Sequence, residues 1–203
     1  MFKKTVMFLS FLLAVTFSYA QTKHKVTMLI NTGFSIPGSI KGEFSEYLKS
    51  DLKFGCGIGI PINRKFTFFA DVSYNGFHHD KKGILDNEEV SGDPVTQVSG
   101  GSAGITAVFG SLALKVNTRA PEGEFYITGG VGLLRLSIED ITLNGTGMSS
   151  LKETAPAILV GGLGFYDLTD DLIVFFSGKF VAGFTKGKTS YFIPLSIGLA
   201  CRF

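Results

Sequence analysis

Tyr191-Phe192-Ile193-Pro194-Leu195-Ser196-Ile197-Gly198-Leu199-Ala200-Cys201-Arg202-Phe203 is the stretch that decides the fold. Tyr191, Ile193, Leu195, Ile197, Leu199, Cys201 and Phe203 alternate with Phe192, Pro194, Ser196, Gly198, Ala200 and Arg202. A period of two sustained over thirteen residues describes a strand with one apolar face, whereas a helix repeats its apolar positions every 3.6 residues. The same period recurs upstream. It is regular in 26–36 (Val26, Met28, Ile30, Phe34, Ile36), in 52–62 (Leu52, Phe54, Cys56, Ile58, Ile60, Ile62) and in 66–74 (Phe66, Phe68, Ala70, Val72, Tyr74). Four less regular strands are expected at about 103–117, 124–138, 154–166 and 171–184. In 124–138, Phe125, Ile127, Val131 and Leu133 share one parity, and then Leu134, Leu136 and Ile138 take over. A bulge is expected there, which places Arg135 inward or at the rim.

The connections between these eight strands alternate in length. Short ones fall at 61–64, 118–123 and 167–170, and longer ones at about 38–50, 76–101 and 139–153, with a shorter fourth at 185–189. Alternating short turns and long loops, an even strand number and strands of about 10 residues are the pattern of an outer-membrane barrel. The expected fold is therefore all-β, an eight-stranded antiparallel transmembrane up-and-down β-barrel.

Residues 1–20 read as a cleaved secretory signal. Lys3 and Lys4 supply the positive start, 6–17 the apolar core, and Ser18-Tyr19-Ala20 the small-x-small cleavage site before Gln21. An apolar core of about 12 residues is shorter than the roughly 20 that a helix needs to cross a bilayer. The expected barrel domain is then 21–203, the expected location the outer membrane. Lys+Arg number 19 and Asp+Glu 17, so the excess of two comes from Lys3 and Lys4. A balanced mature chain has no broad attraction to nucleic acid. Charged residues are 18% of the chain and mean hydropathy is +0.30, which argues against disorder. Two cysteines make no disulfide scaffold.

Period alone does not say which face of the barrel is outside, because soluble barrels keep their apolar face inward. Here the second face is Gly, Ser, Thr and Ala with few charges, too sparse to solvate a surface. Small side chains do fit a narrow lumen. Gly55, Gly57 and Gly59 leave room there for Phe69, Phe175 and Phe192. Aromatic residues on the other face gather near strand ends and form two expected girdles. Phe66, Phe125, Phe165 and Phe203 stand at the short-turn end, and Phe34, Phe54, Tyr74 and Tyr191 at the long-loop end.

The C-terminal strand ending in Phe203, with the stretches Phe125-Tyr126-Ile127-Thr128-Gly129-Gly130-Val131-Gly132 and Val160-Gly161-Gly162-Leu163-Gly164-Phe165-Tyr166, resembles the small outer-membrane β-barrel family of OmpA/OmpX-like and PorT-like proteins. The resemblance covers the whole mature chain and is one of architecture. It implies that the strand from Tyr191 to Phe203 carries the assembly signal read by the barrel-assembly machinery, a transient partner.

Charges on the lumen parity are Asp51, Lys53, Asp71, Lys115 and Lys179. Buried charges are costly unless paired. The expectation is a polar plug in which Asp71 pairs with Lys53, and Lys115 or Lys179 reaches across. The alternative is a narrow small-solute channel. His78 and His79 lie in the longest connection beside Asp80, Asp86, Glu88, Glu89 and Asp93, yet adjacent histidines rarely converge on one ion, and no metal or other cofactor is expected. The Gly-Gly-Val-Gly at 129–132 and Gly-Gly-Leu-Gly at 161–164 open no helix and carry no phosphate-loop lysine. Asn144-Gly-Thr is a formal glycosylation sequon with little meaning in a bacterial outer membrane. Cys56 and Cys201 are expected as free thiols facing lipid.

No catalytic motif appears, and the chain is not expected to be an enzyme. A lipid-modifying barrel would have only His78 and His79 to draw on. The expected role is structural or interactive, with loops 38–50, 76–101 and 139–153 held at the cell surface. Expected partners are outer-membrane lipids, lipopolysaccharide, and a surface or envelope protein. A PorT-like secretion or assembly accessory is a further alternative.

Overall fold

A computed structural model describes residues 25–40, 45–87, 89–90, 93–116, 123–144, 146–148 and 150–203. The expected leader at 1–20 and the start at Gln21 lie outside the described residues, as do 41–44, 117–122, Glu88 and Gly145.

Eight long strands form the wall: β1 (Thr27–Ser39), β2 (Leu48–Pro61), β3 (Phe66–His79), β4 (Ser102–Val116), β5 (Gly123–Ile138), β6 (Leu151–Asp167), β7 (Leu172–Thr185) and β8 (Lys188–Arg202). Each pairs antiparallel with its neighbour in the chain, and β1 also pairs with β8, so the sheet closes on itself. Val26 and Phe203 exchange two backbone hydrogen bonds of 3.1 and 2.9 Å just beyond that seam. One circuit along paired residues runs from Thr27 through Gly59, Phe69, Ser111, Gly130, Leu159, Val181 and Phe192. It returns to β1 at Pro37, ten residues farther along. Such a stagger tilts the strands about 40° from the barrel axis and leaves a lumen that side chains fill.

The short-turn end is trimmed by side-chain caps. Asn63 Oδ1 accepts from the amides of Lys65 and Phe66 at 2.8 and 2.9 Å, and Thr169 Oγ1 accepts from Leu172 N at 3.0 Å. Such side-chain turns let the chain reverse in a few residues. At the other end, β7 and β8 are joined through Gly187, whose φ of 82° suits a residue without a Cβ.

Glycine is spent where aromatic rings cross a neighbouring strand. A Cβ on Gly59 would stand 2.5 Å from the Phe69 ring, and one on Gly198 would stand 2.7 Å from the Phe175 ring, both inside the barrel. On the outer wall, Tyr74 lies over Gly104, whose Cβ would come 2.7 Å from the tyrosine hydroxyl. Aromatic rings laid over strand glycines protect the thin stretch of backbone and help pin the register.

Three sequence expectations are corrected here. The register of β5 runs unbroken against both β4 and β6, with no bulge; Arg135 is exposed on the outer wall, and Leu134, Leu136 and Ile138 face inward. The change of parity marks two different apolar surfaces along one regular strand: the outer wall in its first half and an apolar lumen in its second. A real bulge lies in β2 between Ser50 and Lys53, where Asp51 and Leu52 face the single Gly76 of β3. It re-phases the strand, so Asp51 is exposed instead of lining the lumen. Phe165, expected in a girdle, is buried within the lumen, and its neighbour Tyr166 takes the outer position.

Cys56 and Cys201 are free and exposed. They stand on β2 and β8, opposite Ile30 and Met28 of the intervening β1. Two strand spacings, about 9–10 Å, exceed the roughly 7 Å between Cα atoms that a disulfide tolerates. Alkylation of the unfolded protein without reductant is expected to add two labels by intact mass. Zero labels would require a different strand order.

Candidate functional site: the lumen and its two ends

The lumen is filled in three layers. Near the short turns, Leu29, Phe69, Ala113, Leu163, Phe165, Ile173, Phe175 and Ala200 form an apolar layer, with Tyr126 packed against it. Phe165 is its hub, 6.3 Å from Phe69, 5.5 Å from Tyr126 and 5.7 Å from Phe175 between ring centroids. Towards the long loops, a second apolar layer includes Phe77, Ile105, Phe109, Leu134, Leu136, Leu159, Val181 and Phe192.

A polar layer lies between them. Lys179 Nζ of β7 donates to Asp71 Oδ1 of β3 across the lumen at 2.8 Å. Lys53 Nζ donates to Asn31 Oδ1 at 2.5 Å and to Ser196 Oγ at 3.1 Å, and Ser196 Oγ in turn lies 2.8 Å from Ser177 Oγ. The expected Asp71–Lys53 pair is therefore replaced by Asp71–Lys179, and neutral oxygens hold Lys53. Ser35 and Asn75 add a fully buried bond of 2.8 Å, and Asn75 Nδ2 donates to Ile105 O at 3.2 Å. A cavity of about 40 Å³ lies at this layer, lined by Asn31, Lys53, Asp71, Ser111, Ser177 and Lys179 among others.

Lys115 belongs to a separate cluster at the short-turn mouth. Its Nζ lies 2.5 Å from Glu124 Oε1, while Glu124 Oε2 accepts from Tyr126 Oη at 2.8 Å and from Arg202 Nη2 at 3.2 Å. Arg202 also reaches Asp167 at 3.1 Å, and Lys25 pairs with Asp171 at 2.6 Å. Sequence reasoning missed Glu124 and Tyr126 because they stand at the expected start of a strand. The hairpin register, with Lys115 opposite Tyr126, was the signal that would have found them.

At the opposite end the long connections fold into a cap. Asp80 begins a short helix (Lys81–Asn87), its carbonyl accepting from Ile84 N at 3.0 Å. The Lys49 ammonium 2.7 Å away, with the amides of Gly83 and Lys82, holds the Asp80 carboxyl below its ordinary pKa. Strands Val98–Gly100, Ile141–Leu143 and Thr146–Met148 make a small sheet, and Ile84, Val95, Ile141 and Leu143 make a core beneath it. Asn144 Oδ1 ties the two connections together, accepting from the amides of Thr96 and Gln97 at 2.9 and 3.1 Å. Asn144 enters the sequence reading only through its sequon; in the structure it is a cross-loop clamp.

The two histidines, expected in a loop, end β3 instead and point to opposite faces of it. His78 is exposed, 3.7 Å from Asp51, whereas His79 is buried with Nδ1 2.7 Å from Gly101 O. They do not converge on one point, and no group of three possible metal ligands occurs among the described residues.

The outer wall carries the remaining predicted residues. Phe34, Phe54, Tyr74 and Tyr191 are exposed towards the long-loop half, while Phe66 and Phe125 are half-exposed, and Phe203 exposed, at the short-turn end. Every strand contributes large exposed apolar side chains: Ile30, Phe54, Val72, Val108, Val131, Val160, Phe176 and Ile197 are 43–69% exposed. Towards the long loops this wall turns polar, in a cleft of about 310 Å³ whose lining includes Tyr74, Arg135, Glu139 and Lys152.

A closed eight-stranded cylinder with an apolar outside and a filled, partly charged inside is the fold of the small outer-membrane barrels. Among solved structures it is similar to a major outer membrane protein from Thermus thermophilus, with a TM-score of 0.59, 11% identity, and coverage of 88% of this chain and 99% of that one. It is similar also to Neisserial surface protein A, with a TM-score of 0.54, 15% identity, and coverage of 88% and 97%. No known family model matches the sequence, and no curated protein does. The architecture expected from the OmpA/OmpX-like resemblance is thus the one observed.

Proposed function

We propose that this chain is a non-enzymatic outer-membrane protein, exported by its 1–20 leader, whose plugged barrel anchors a folded recognition cap at the cell surface. The observation that carries this reading is the filling of the lumen. Two apolar layers flank an ion-paired polar one, and the cavity of about 40 Å³ between them has room for a few waters and not for a file of hydrated solutes. The wall of exposed apolar side chains on all eight strands supports a bilayer as its surroundings, because a water-facing surface rarely carries so large an apolar patch. Short turns then face the periplasm and the cap faces outward.

The cap supports recognition of an envelope or surface partner, since it is a packed unit on a rigid base. Arg135 and Lys152, on the outer wall below it, support contact with the phosphates of lipopolysaccharide. Planar-bilayer recording of the purified protein tests the plug. The expected trace shows no stable unitary conductance, and reproducible sizeable openings would replace this reading with the narrow channel.

A further inference from the structure

The polar layer of the lumen is electrically unbalanced. Three ionisable side chains line its cavity: Lys53, Lys179 and Asp71. Lys179 is neutralised by Asp71 at 2.8 Å, but Lys53, only 6% exposed, has two neutral oxygens as its hydrogen-bond partners. The mouth cluster of Lys115, Glu124 and Arg202 lies beyond the Phe69–Phe165–Phe175 layer and brings no acid to Lys53. A buried charge without a counter-charge is costly in a low-dielectric interior. A second, independent observation concerns Ser111. Its hydroxyl is buried, lines the same cavity, and has no hydrogen-bond partner among the described residues.

We propose that this cavity is a binding site for one small monovalent anion of halide type, held by the ammonium groups of Lys53 and Lys179 with the Ser111 hydroxyl donating to it. The anion balances the layer's excess positive charge and gives Ser111 its missing acceptor. The size fits. A cavity of about 40 Å³ exceeds the 10–15 Å³ that one water needs and excludes an organic solute. The apolar layers on either side flank the ion and make it a structural component of the folded barrel. The inference goes beyond the recognition role proposed above and is tested without measuring conductance.

The test is refolding from urea into detergent at equal ionic strength in sodium chloride, sodium bromide or sodium gluconate, gluconate being too large to enter. Chloride and bromide are expected to raise the unfolding temperature by about 5 °C over gluconate, as an ion bound only by the folded state does. The shift is expected to vanish in Lys53→Met and to shrink in Ser111→Ala, a small change that the lumen tolerates. Crystals grown in bromide are expected to show an anomalous peak between Lys53 Nζ and Lys179 Nζ. Equal unfolding temperatures in chloride and gluconate, or an undiminished shift in Lys53→Met, would overturn the proposal. If Lys53→Met does not fold, the bromide peak decides: its presence in the cavity supports the site, and its absence there refutes it.

Discussion

Val131→Arg is expected to destabilise the barrel in phospholipid vesicles by about 2–4 kcal/mol, the cost of a cation on the lipid face at the bilayer midplane. Val131 is the position of choice because it lies at the middle of β5 and is 69% exposed on the outer wall. Four residues along the same face, Arg135 is already accommodated where the wall turns polar. Arg135→Val is accordingly expected to change stability by less than about 1 kcal/mol, since the penalty fades towards the interface. Urea titration of reversible folding into vesicles measures both. An unchanged midpoint for Val131→Arg would mean that the outer wall meets water, and the chain would have to be read as a soluble cup.

Asp71→Asn is expected to have the largest effect of any single lumen substitution, about 3–5 kcal/mol, because removing one partner of a buried pair strands the other charge. Among the described residues, Asp71 is the only acid lining a cavity that also holds Lys53 and Lys179, so its loss leaves two ammonium groups facing each other. Lys179→Met should cost less. The layer then keeps one cation and one anion, Lys53 and Asp71, lining the same cavity, and no net charge is left over. The order of the two effects is the diagnostic, read from heat-modifiability on gels and from urea midpoints. Equal and small losses would indicate a wide, wet lumen in which charges are screened.

The strand count, the alternation of short and long connections, and the facing of the C-terminal strand were legible because a closed antiparallel sheet writes its period directly into the chain. The complementarity of glycine and phenylalanine was also legible, as at Gly59 beneath Phe69. Parity fails where the pleat is interrupted or where both faces are apolar. The bulge between Ser50 and Lys53 turned Asp51 outward, and no composition signal marks it. Phe165 and Leu134 were misplaced for the other reason: an apolar residue in this chain belongs equally well to lipid or to the lumen layers. Partners across the lumen were the least legible feature. Asp71 and Lys179 are 108 residues apart in sequence and meet only because the cylinder's stagger brings β3 opposite β7. The packing of the connection at 76–101 was not legible either, because Ile84 and Val95 find their apolar partners in another connection, at Ile141 and Leu143.

The seam between β1 and β8 has a consequence for how the molecule is made. Remove β8 and two rows of amide and carbonyl groups, one on β1 and one on β7, lose their partners; in the bilayer proposed above each orphan would cost several kcal/mol. A wall lacking one strand therefore keeps two unpaired edges, which the closed barrel does not have. The cylinder is a ring circuit that conducts stability only when complete, and β8, paired to β7 on one side and β1 on the other, is the switch that closes it.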